Sequence, residues 1–270
     1  MMAIVLSDNN GHLFADERKD RILQLIETRD KISVPELVRQ FNVSPATIRN
    51  DLRELEQLGL LRRIHGGALS MDVPTVGFEK GNEMKNQKFL NQKHSIAKKA
   101  MEFIEDGDVI VLDAGTTSIE LARLIHKRSN ITVVVNDLDI AECFEGVDGI
   151  QVLVIGGIVR KKFHCTVGPF ATKILNELIV DKVFLSTNSF SLEKGCTTPD
   201  VSQAEIKHTM AKIASKVIVL CDSSKIGANS FVQFVPITEI DVLITDHHIE
   251  EHILQKLEES GIEIIVAKGS

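Results

Sequence analysis

The chain has 270 residues, 43% of them hydrophobic and 26% charged, with a formal net charge of −7. That apolar content can bury two cores, one small and one large, while no apolar run approaches the roughly 20 residues of a membrane-spanning helix and the opening residues lack the pattern of a signal peptide. Four cysteines, Cys143, Cys165, Cys196 and Cys221, lie far apart without paired spacing, which argues against a disulfide framework or a cysteine zinc site and fits a reducing cytoplasm.

Residues 1–15 show no periodicity and are expected to form a flexible extension. Asp16 is expected to cap a first helix in which Ile22, Leu25 and Ile26 share a face that Ile32 extends. Ser33-Val34-Pro35-Glu36 reads as a capping box, and Val34, Leu37, Val38 and Phe41 then mark a short amphipathic helix. Asn42-Val43 supplies a tight turn. Ser44 can accept from the free amides of the next helix, Pro45 sits where a missing N–H costs nothing, and Gly59 suits the left-handed residue that ends it. The spacing therefore predicts a helix over 45–58, with Ile48, Leu52, Leu55 and Leu58 as its apolar stripe.

That stripe leaves Ala46, Thr47, Arg49, Asn50 and Arg53 pointing mostly outward near the N-terminal half, as a helix lying in a DNA major groove requires. Residues 60–64 read as a strand carrying Arg62 and Arg63, followed by a hairpin turn at Gly66-Gly67. Three helices and a two-stranded wing make residues 16–70 a winged helix-turn-helix. The candidate DNA contacts are Ser44, Pro45, Ala46, Thr47, Arg49, Asn50, Arg53, Arg62, Arg63, His65 and Gly66. This segment holds ten Lys/Arg and nine Asp/Glu, a net of +1, which leaves −8 for the remainder. An acidic body repels phosphates, so the basic groups must be segregated onto the reading face.

Residues 71–93, with Pro74, Gly77 and Gly81 and few apolar anchors, read as a linker that becomes helical near Phe89. From 94 to 270, strand-like runs at 109–113, 131–136, 151–155, 182–186, 216–221, 242–245 and 263–266 alternate with helix-like runs at 95–104, 117–126, 138–144, 169–178, 203–214 and 249–259. This alternation predicts an α/β domain, a mostly parallel Rossmann-like sheet covered on both faces. Ligands of such sheets bind beyond the carboxyl ends of the strands. There Asp113-Ala114-Gly115-Thr116-Thr117 follows a strand and opens a helix, offering amides, hydroxyls and a positive helix terminus to an anion. Asn136, Gly156-Gly157 with Arg160, Gly168 at a helix start, and Asp222-Ser223-Ser224-Lys225 fall at the same edge. The candidate effector contacts are Asp113, Gly115, Thr116, Thr117, Asn136, Gly156, Gly157, Arg160, Gly168 and Lys225.

These motifs carry a family resemblance. Ser44, Thr47-Ile48-Arg49, Asp51-Leu52, Leu55 and Gly59, then Arg62-Arg63 and His65-Gly66-Gly67-Ala68, then Asp113, Gly115-Thr116-Thr117, Asn136, Gly156-Gly157 and Asp222-Ser223-Ser224-Lys225 with Gly227 make the chain from Asp16 onward resemble the DeoR family of bacterial transcriptional regulators. The resemblance implies a regulator, usually a repressor of a sugar-catabolic operon, which binds a double-stranded DNA operator. It implies a ribose-5-phosphate-isomerase-like effector domain that senses a phosphorylated sugar, a homo-oligomer (dimer or tetramer) reading two half-sites, and neither cofactor nor metal. Two places depart from the family pattern. Val135-Asn136-Asp137 replaces Thr-Asn-Ser and is expected to bring a carboxylate beside the phosphate, and Ser186-Thr187-Asn188-Ser189-Phe190 replaces a turn containing Gly and Asp.

Two rival functions are open to the same residues. A sugar-phosphate isomerase with an attached DNA module would use Lys194-Gly195, Glu205 and Asp222 to Lys225, but the turn 186–189 holds no carboxylate for proton transfer. A metal sensor would use His248 and His252, spaced to share a helix face, with His247 alongside. No Glu-x-x-His motif or cysteine cluster accompanies them in sequence, so surface histidines are expected.

Overall fold

The computed structural model describes residues 14–29, 31–71, 79 and 89–269. The chain divides into two compact units, Met1–Pro74 and Thr75–Ser270. The extension expected at 1–15 lies outside the described residues except for Phe14 and Ala15, and of the linker expected at 71–93 only Met71, Glu79 and residues 89–93 are described.

The first unit runs α1 (Ala15–Arg29), β1 (Lys31–Ser33), α2 (Val34–Phe41), α3 (Pro45–Gln57), β2 (Arg62–Ile64) and β3 (Gly67–Leu69). Its caps follow from the sequence. Glu36 N–H donates to Ser33 Oγ at 3.3 Å and Ser33 N–H to Glu36 Oε2 at 2.8 Å, the reciprocal pair of a capping box. Asn42 takes the left-handed conformation at the α2–α3 turn, and Gly59 takes it after α3. Ile22, Ile26, Ile32, Leu37, Ile48, Leu52, Leu55 and Leu61 close one small core.

Three local expectations are corrected. Asp16 is inside the first turn rather than at the cap, and Phe14 N–H is instead accepted by Glu17 at 3.1 Å. The wing is three-stranded in the order β1-β3-β2, because Lys31–Ser33 pairs antiparallel with β3. Gly67 belongs to that strand and not to the turn. A Cβ there would lie 2.2 Å from the Ile32 carbonyl oxygen, so only glycine lets the strands approach.

The second unit runs α4 (Leu90–Ala100), β4 (Val109–Leu112), α5 (Thr116–Ile125), β5 (Ile131–Val135), α6 (Leu138–Glu142), β6 (Ile150–Val154), β7 (Ile158–Arg160), β8 (Cys165–Val167), α7 (Pro169–Leu175) and β9 (Val180–Ser186). It continues with β10 (Ser189–Ser191), β11 (Gly195–Thr198), α8 (Val201–Lys212), β12 (Ala214–Leu220), β13 (Val232–Val235), β14 (Val242–Asp246), α9 (Glu251–Glu258) and β15 (Glu263–Ala267). Seven strands form one sheet in the order β15-β14-β12-β9-β4-β5-β6, and every pairing in it is parallel.

Residue alternation builds a core on each face: Val111, Val183, Leu185, Val219 and Leu243 face one side, while Ile110, Leu112, Phe184, Ile218 and Ile244 face the other. The chain moves outward from β4 to β6, then returns to β9 and moves outward the other way. The β4–β9 boundary is therefore the topological switch point, where a parallel sheet leaves a crevice at its carboxyl edge.

The alternation did not announce the antiparallel pieces. β7 and β8 form a hairpin, and β10, β11 and β13 form a separate three-stranded sheet. Each of these strands has only three or four residues, too few to show a period.

Candidate functional sites

Ser44 Oγ accepts the Thr47 amide at 3.1 Å, which fixes the start of α3. Ile48, Asp51, Leu52 and Leu55 are buried, and Ala46, Arg49, Asn50 and Arg53 are exposed with Thr47 half-buried between them. The structure thus displays the expected reading residues along one face. Asn50 Nδ2 donates to Glu54 Oε1 at 2.9 Å, and Arg53 Nη1 donates to Asn50 Oδ1 at 3.3 Å. Glu54 is in turn paired with Lys19 of α1 at 2.6 Å.

Asp51 has a structural role. It takes a two-pronged ion pair from Arg18, Nε to Oδ2 at 2.6 Å and Nη2 to Oδ1 at 3.0 Å, with the two side chains only 8% and 5% exposed. On the wing, Arg63, His65 and Gly66 are exposed and Arg62 is half-buried, its guanidinium lowered in pKa by loss of water. Glu56 holds the wing to α3, accepting from Arg63 N–H at 2.9 Å and lying 3.7 Å from the Arg63 guanidinium.

The second site is the crevice between β4 and β9. One wall is Ala114-Gly115-Thr116-Thr117, where β4 passes into α5, and the opposite wall is Ser186-Thr187-Asn188 after β9. Gly115 is required by the fit, because a Cβ would lie 2.5 Å from Ser186 Oγ. The first helical bond of α5 runs from Ile119 N–H to Gly115 C=O, which leaves the amides of Thr116, Thr117 and Ser118 without helical acceptors. Lys207 and Gln203 enter from α8, one turn apart, and Lys225 enters from the turn after β12. Amides, hydroxyls and two ammonium groups around one crevice can hold an anion.

Asp113 organises this crevice from behind. It is 1% exposed, accepts the Ser186 amide at 2.8 Å and is ion-paired with Lys207, which also donates to Ser186 C=O at 2.9 Å. Burial pushes its carboxyl up, against the opposing pull of Lys207 and of the Ser186 and Ala114 amides. Lys225 pairs with Asp222 at 3.0 Å. Burial alone would raise the Asp222 carboxyl, but Lys225 and Ser224 outweigh it and hold it below its usual range. Cys165 lines the crevice with its thiol pushed up to about 11 by burial, which leaves it protonated and unreactive.

Of the expected effector contacts, the structure brings Gly115, Thr116, Thr117 and Lys225 to the crevice lining, with Asp113 behind them. Arg160 reaches it through Glu79: its Nη2 lies 3.0 Å from Glu79 Oε2, and Glu79 itself lines the crevice. Asn136, Gly156, Gly157 and Gly168 are not at the lining. Asn136 Nδ2 donates to Thr166 C=O at 2.9 Å, a Cβ on Gly157 would lie 2.6 Å from Val167 C=O, and Gly168 is the N-cap of α7. Asn136, Gly157 and Gly168 pack against the β7–β8 hairpin that carries Arg160, Phe163 and Cys165.

Asp137 is also corrected: it caps α6 through the amides of Asp139 and Ile140 instead of standing beside an anion site. Sequence reasoning passed over Lys207, Gln203 and Glu79. Gln203 and Lys207 stand at an i, i+4 spacing on α8, but their burial and their partners appear only in the folded structure, and Glu79 carries no local signal at all.

The rival sites fare differently. Glu205 is exposed on the far side of α8 from Gln203 and Lys207, and Lys194 is exposed beside Gly195, so neither lines the crevice. His248 precedes α9, which begins at Glu251, and pairs with Asp246 at 3.0 Å, whereas His252 pairs with Glu250 at 3.3 Å. The two histidines therefore do not share a helix face. Asp246, His247 and His248 do bring three ligand atoms within 4.8 Å of one another, with both histidines exposed.

Two family models match the chain, a DeoR-like helix-turn-helix domain over residues 18–73 and a DeoR C-terminal sensor domain over residues 88–247. The chain is 39% identical to the HTH-type transcriptional regulator GlpR of Haloferax volcanii, across 92% of this chain and 96% of that one. It is 33% identical to a putative aga operon transcriptional repressor of Escherichia coli O157:H7, across 93% of each. Among solved structures, a D-ribose-5-phosphate isomerase in complex with phospho-erythronic acid aligns over 55% of each chain at 19% identity, with a TM-score of 0.38.

Proposed function

The chain belongs to the DeoR family of transcriptional regulators, and from that premise we propose that it represses a sugar-catabolic operon, releasing its operator when a phosphorylated sugar fills the β4–β9 crevice. The observation that carries the effector half is the crevice itself, where the free amides of α5 meet Lys207 and Lys225 at the switch point of a parallel sheet. Thr116 and Thr117 supply hydroxyls and amides to the phosphate, and Lys225 supplies charge.

In the DNA-binding half, Thr47 and Asn50 read base edges, and Arg49, Arg53, Arg62 and Arg63 serve the phosphates with help from Ser44, Pro45, Ala46, His65 and Gly66 at the surface of the turn and wing. A homo-oligomer, dimer or tetramer, would supply the second reading head for a two-half-site operator. A cytoplasmic location agrees with four free cysteines, and no described helix is long and apolar enough to cross a membrane.

The test is operator binding with and without a panel of sugar phosphates. The right compound should weaken operator binding roughly 5- to 150-fold without being consumed. Thr116→Val should abolish that response while the operator is still bound. If no sugar phosphate alters operator affinity, the effector half of the proposal falls; steady turnover of the compound would favour an isomerase instead.

A further inference from the structure

Glu79 is the one carboxylate that lines the crevice among the described residues, and it comes from outside the sheet. Its side chain is 8% exposed. It reaches Arg160 Nη2 at 3.0 Å and accepts from Asn188 Nδ2 at 3.3 Å, partners 81 and 109 residues away in sequence. A carboxylate is buried in this way only where partners compensate it. Around it stand the groups that suit a phosphate: Lys207, Lys225 and the amides of α5.

We propose that Glu79 is an internal anion ligand of the crevice, that an effector phosphate displaces it, and that this exchange reports occupancy to the segment joining the two units. The proposal rests on the reading of the crevice as a sugar-phosphate site.

Charge supports the exchange. A phosphate held by Gly115-Thr116-Thr117 and the Glu79 carboxylate would share one crevice lined by protein, where like charges disfavour each other's ionised form and resist joint occupancy.

Geometry supports it as well. Glu79 and Asp200 both approach Arg160 at Nη2, at 3.0 and 3.3 Å, while Nη1 is buried with no hydrogen-bond partner among the described residues. Phe163 stacks over the guanidinium at 4.1 Å and keeps it in place. The guanidinium thus keeps hydrogen-bonding capacity that neither carboxylate uses, and its tie to Glu79 runs through one nitrogen alone.

Position in the chain gives the exchange a consequence. Glu79 stands ten residues after Leu69, the last residue of the wing, and eleven before Leu90, the first of α4. Seated, Glu79 is held by Arg160 and Asn188; displaced, it loses both contacts. A ligand shifts a conformational equilibrium only through unequal affinity for the two states, and competition with Glu79 supplies the inequality.

The experiment compares the full-length protein with its Glu79→Gln variant, titrated with inorganic phosphate and with a panel of pentose and hexose phosphates, alongside operator binding. With the internal competitor neutralised, phosphate and the responding sugar phosphate should bind about fivefold more tightly or better, and operator affinity without effector should fall, because the variant no longer favours the state in which Glu79 is seated. Weaker phosphate binding would overturn the proposal by making Glu79 a direct contact of the effector, and unchanged affinities for both ligands would overturn it by leaving Glu79 a structural ion pair. Thr116→Val separates the two readings. If it abolishes phosphate binding while Glu79→Gln changes nothing, the sensor reading stands and the role of Glu79 falls; if neither the parent nor the Glu79→Gln protein binds any phosphate compound, both fall together.

Discussion

At the scale of single residues, Asp137 and Asn50 carry opposite kinds of information. Asp137 is fully buried, and burial outweighs its bonds to the Ile140 and Asp139 amides, pushing its carboxyl up to about 6. In the unfolded chain the same group titrates near its ordinary value of about 3.9. Between those limits the folded protein holds a proton that the unfolded chain has released, so this group's contribution to stability is greatest below about pH 4 and is lost as the pH rises through 6. Asp137→Asn keeps a side chain able to cap α6 and has no charge to bury. Urea melts from pH 4 to 7 should show the variant gaining on the parent as pH rises; parallel curves would refute the assignment. Asn50, by contrast, is exposed, and among the described residues its side chain is held by Glu54 and Arg53. An asparagine there matches the paired donor and acceptor of adenine, so Asn50→Ala should cost about 1–3 kcal/mol on the operator and little on unrelated DNA. Equal losses on both duplexes would rule out base reading.

Between elements, the decisive contact of the small unit is the Arg18–Asp51 pair, which fastens α1 to α3 from beneath the reading face. Two charges removed from water this fully are costly when either is left alone. Arg18→Met should therefore destabilise the winged helix by about 3–5 kcal/mol, and pairing it with Asp51→Leu should restore much of the loss, since a well-packed apolar pair often replaces a buried ion pair without penalty. Thermal unfolding of the single and double variants reads this directly. A double variant no more stable than Arg18→Met would mean that the pair contributes through its geometry rather than through the cost of an orphaned charge. Asp51, although part of the same motif as the display residues, is buried on the inward face of α3.

Over the whole molecule, charge must be segregated for a chain of net −7 to meet DNA. The exposed Arg49, Arg53 and Arg63 lie on α3 and the wing of a unit that is itself near neutral. Among the described residues the Arg63 guanidinium is tethered at 3.7 Å to Glu56, and it can turn to a phosphate. Arg63→Ala should weaken all duplexes alike and reduce the slope of log K against log salt by about 1, while an unchanged slope would place the side chain away from the backbone.

The sequence by itself determined the winged helix, because its signals are local: Ser33 with Glu36, Ser44 with Pro45, and the left-handed turns at Asn42 and Gly59 act within a few residues of one another. It also determined the parallel sheet, because apolar runs long enough to show a period need helices to cover both faces, and the crevice wall at Gly115-Thr116-Thr117 followed from the strand-to-helix turn. Tertiary structure decided the rest. The strands of three or four residues leave no period to read, and β13 joins the small sheet only by pairing with β11 from far along the chain. Asn136, Gly157 and Gly168 look like the other strand-end residues in sequence, yet spend their bonds and their missing side chains on the β7–β8 hairpin. Lys207 and Glu79 acquire their roles only when Asp113 and Arg160 are brought to them across 94 and 81 residues, since a buried charge is defined by its partner and no local rule names a partner that far away.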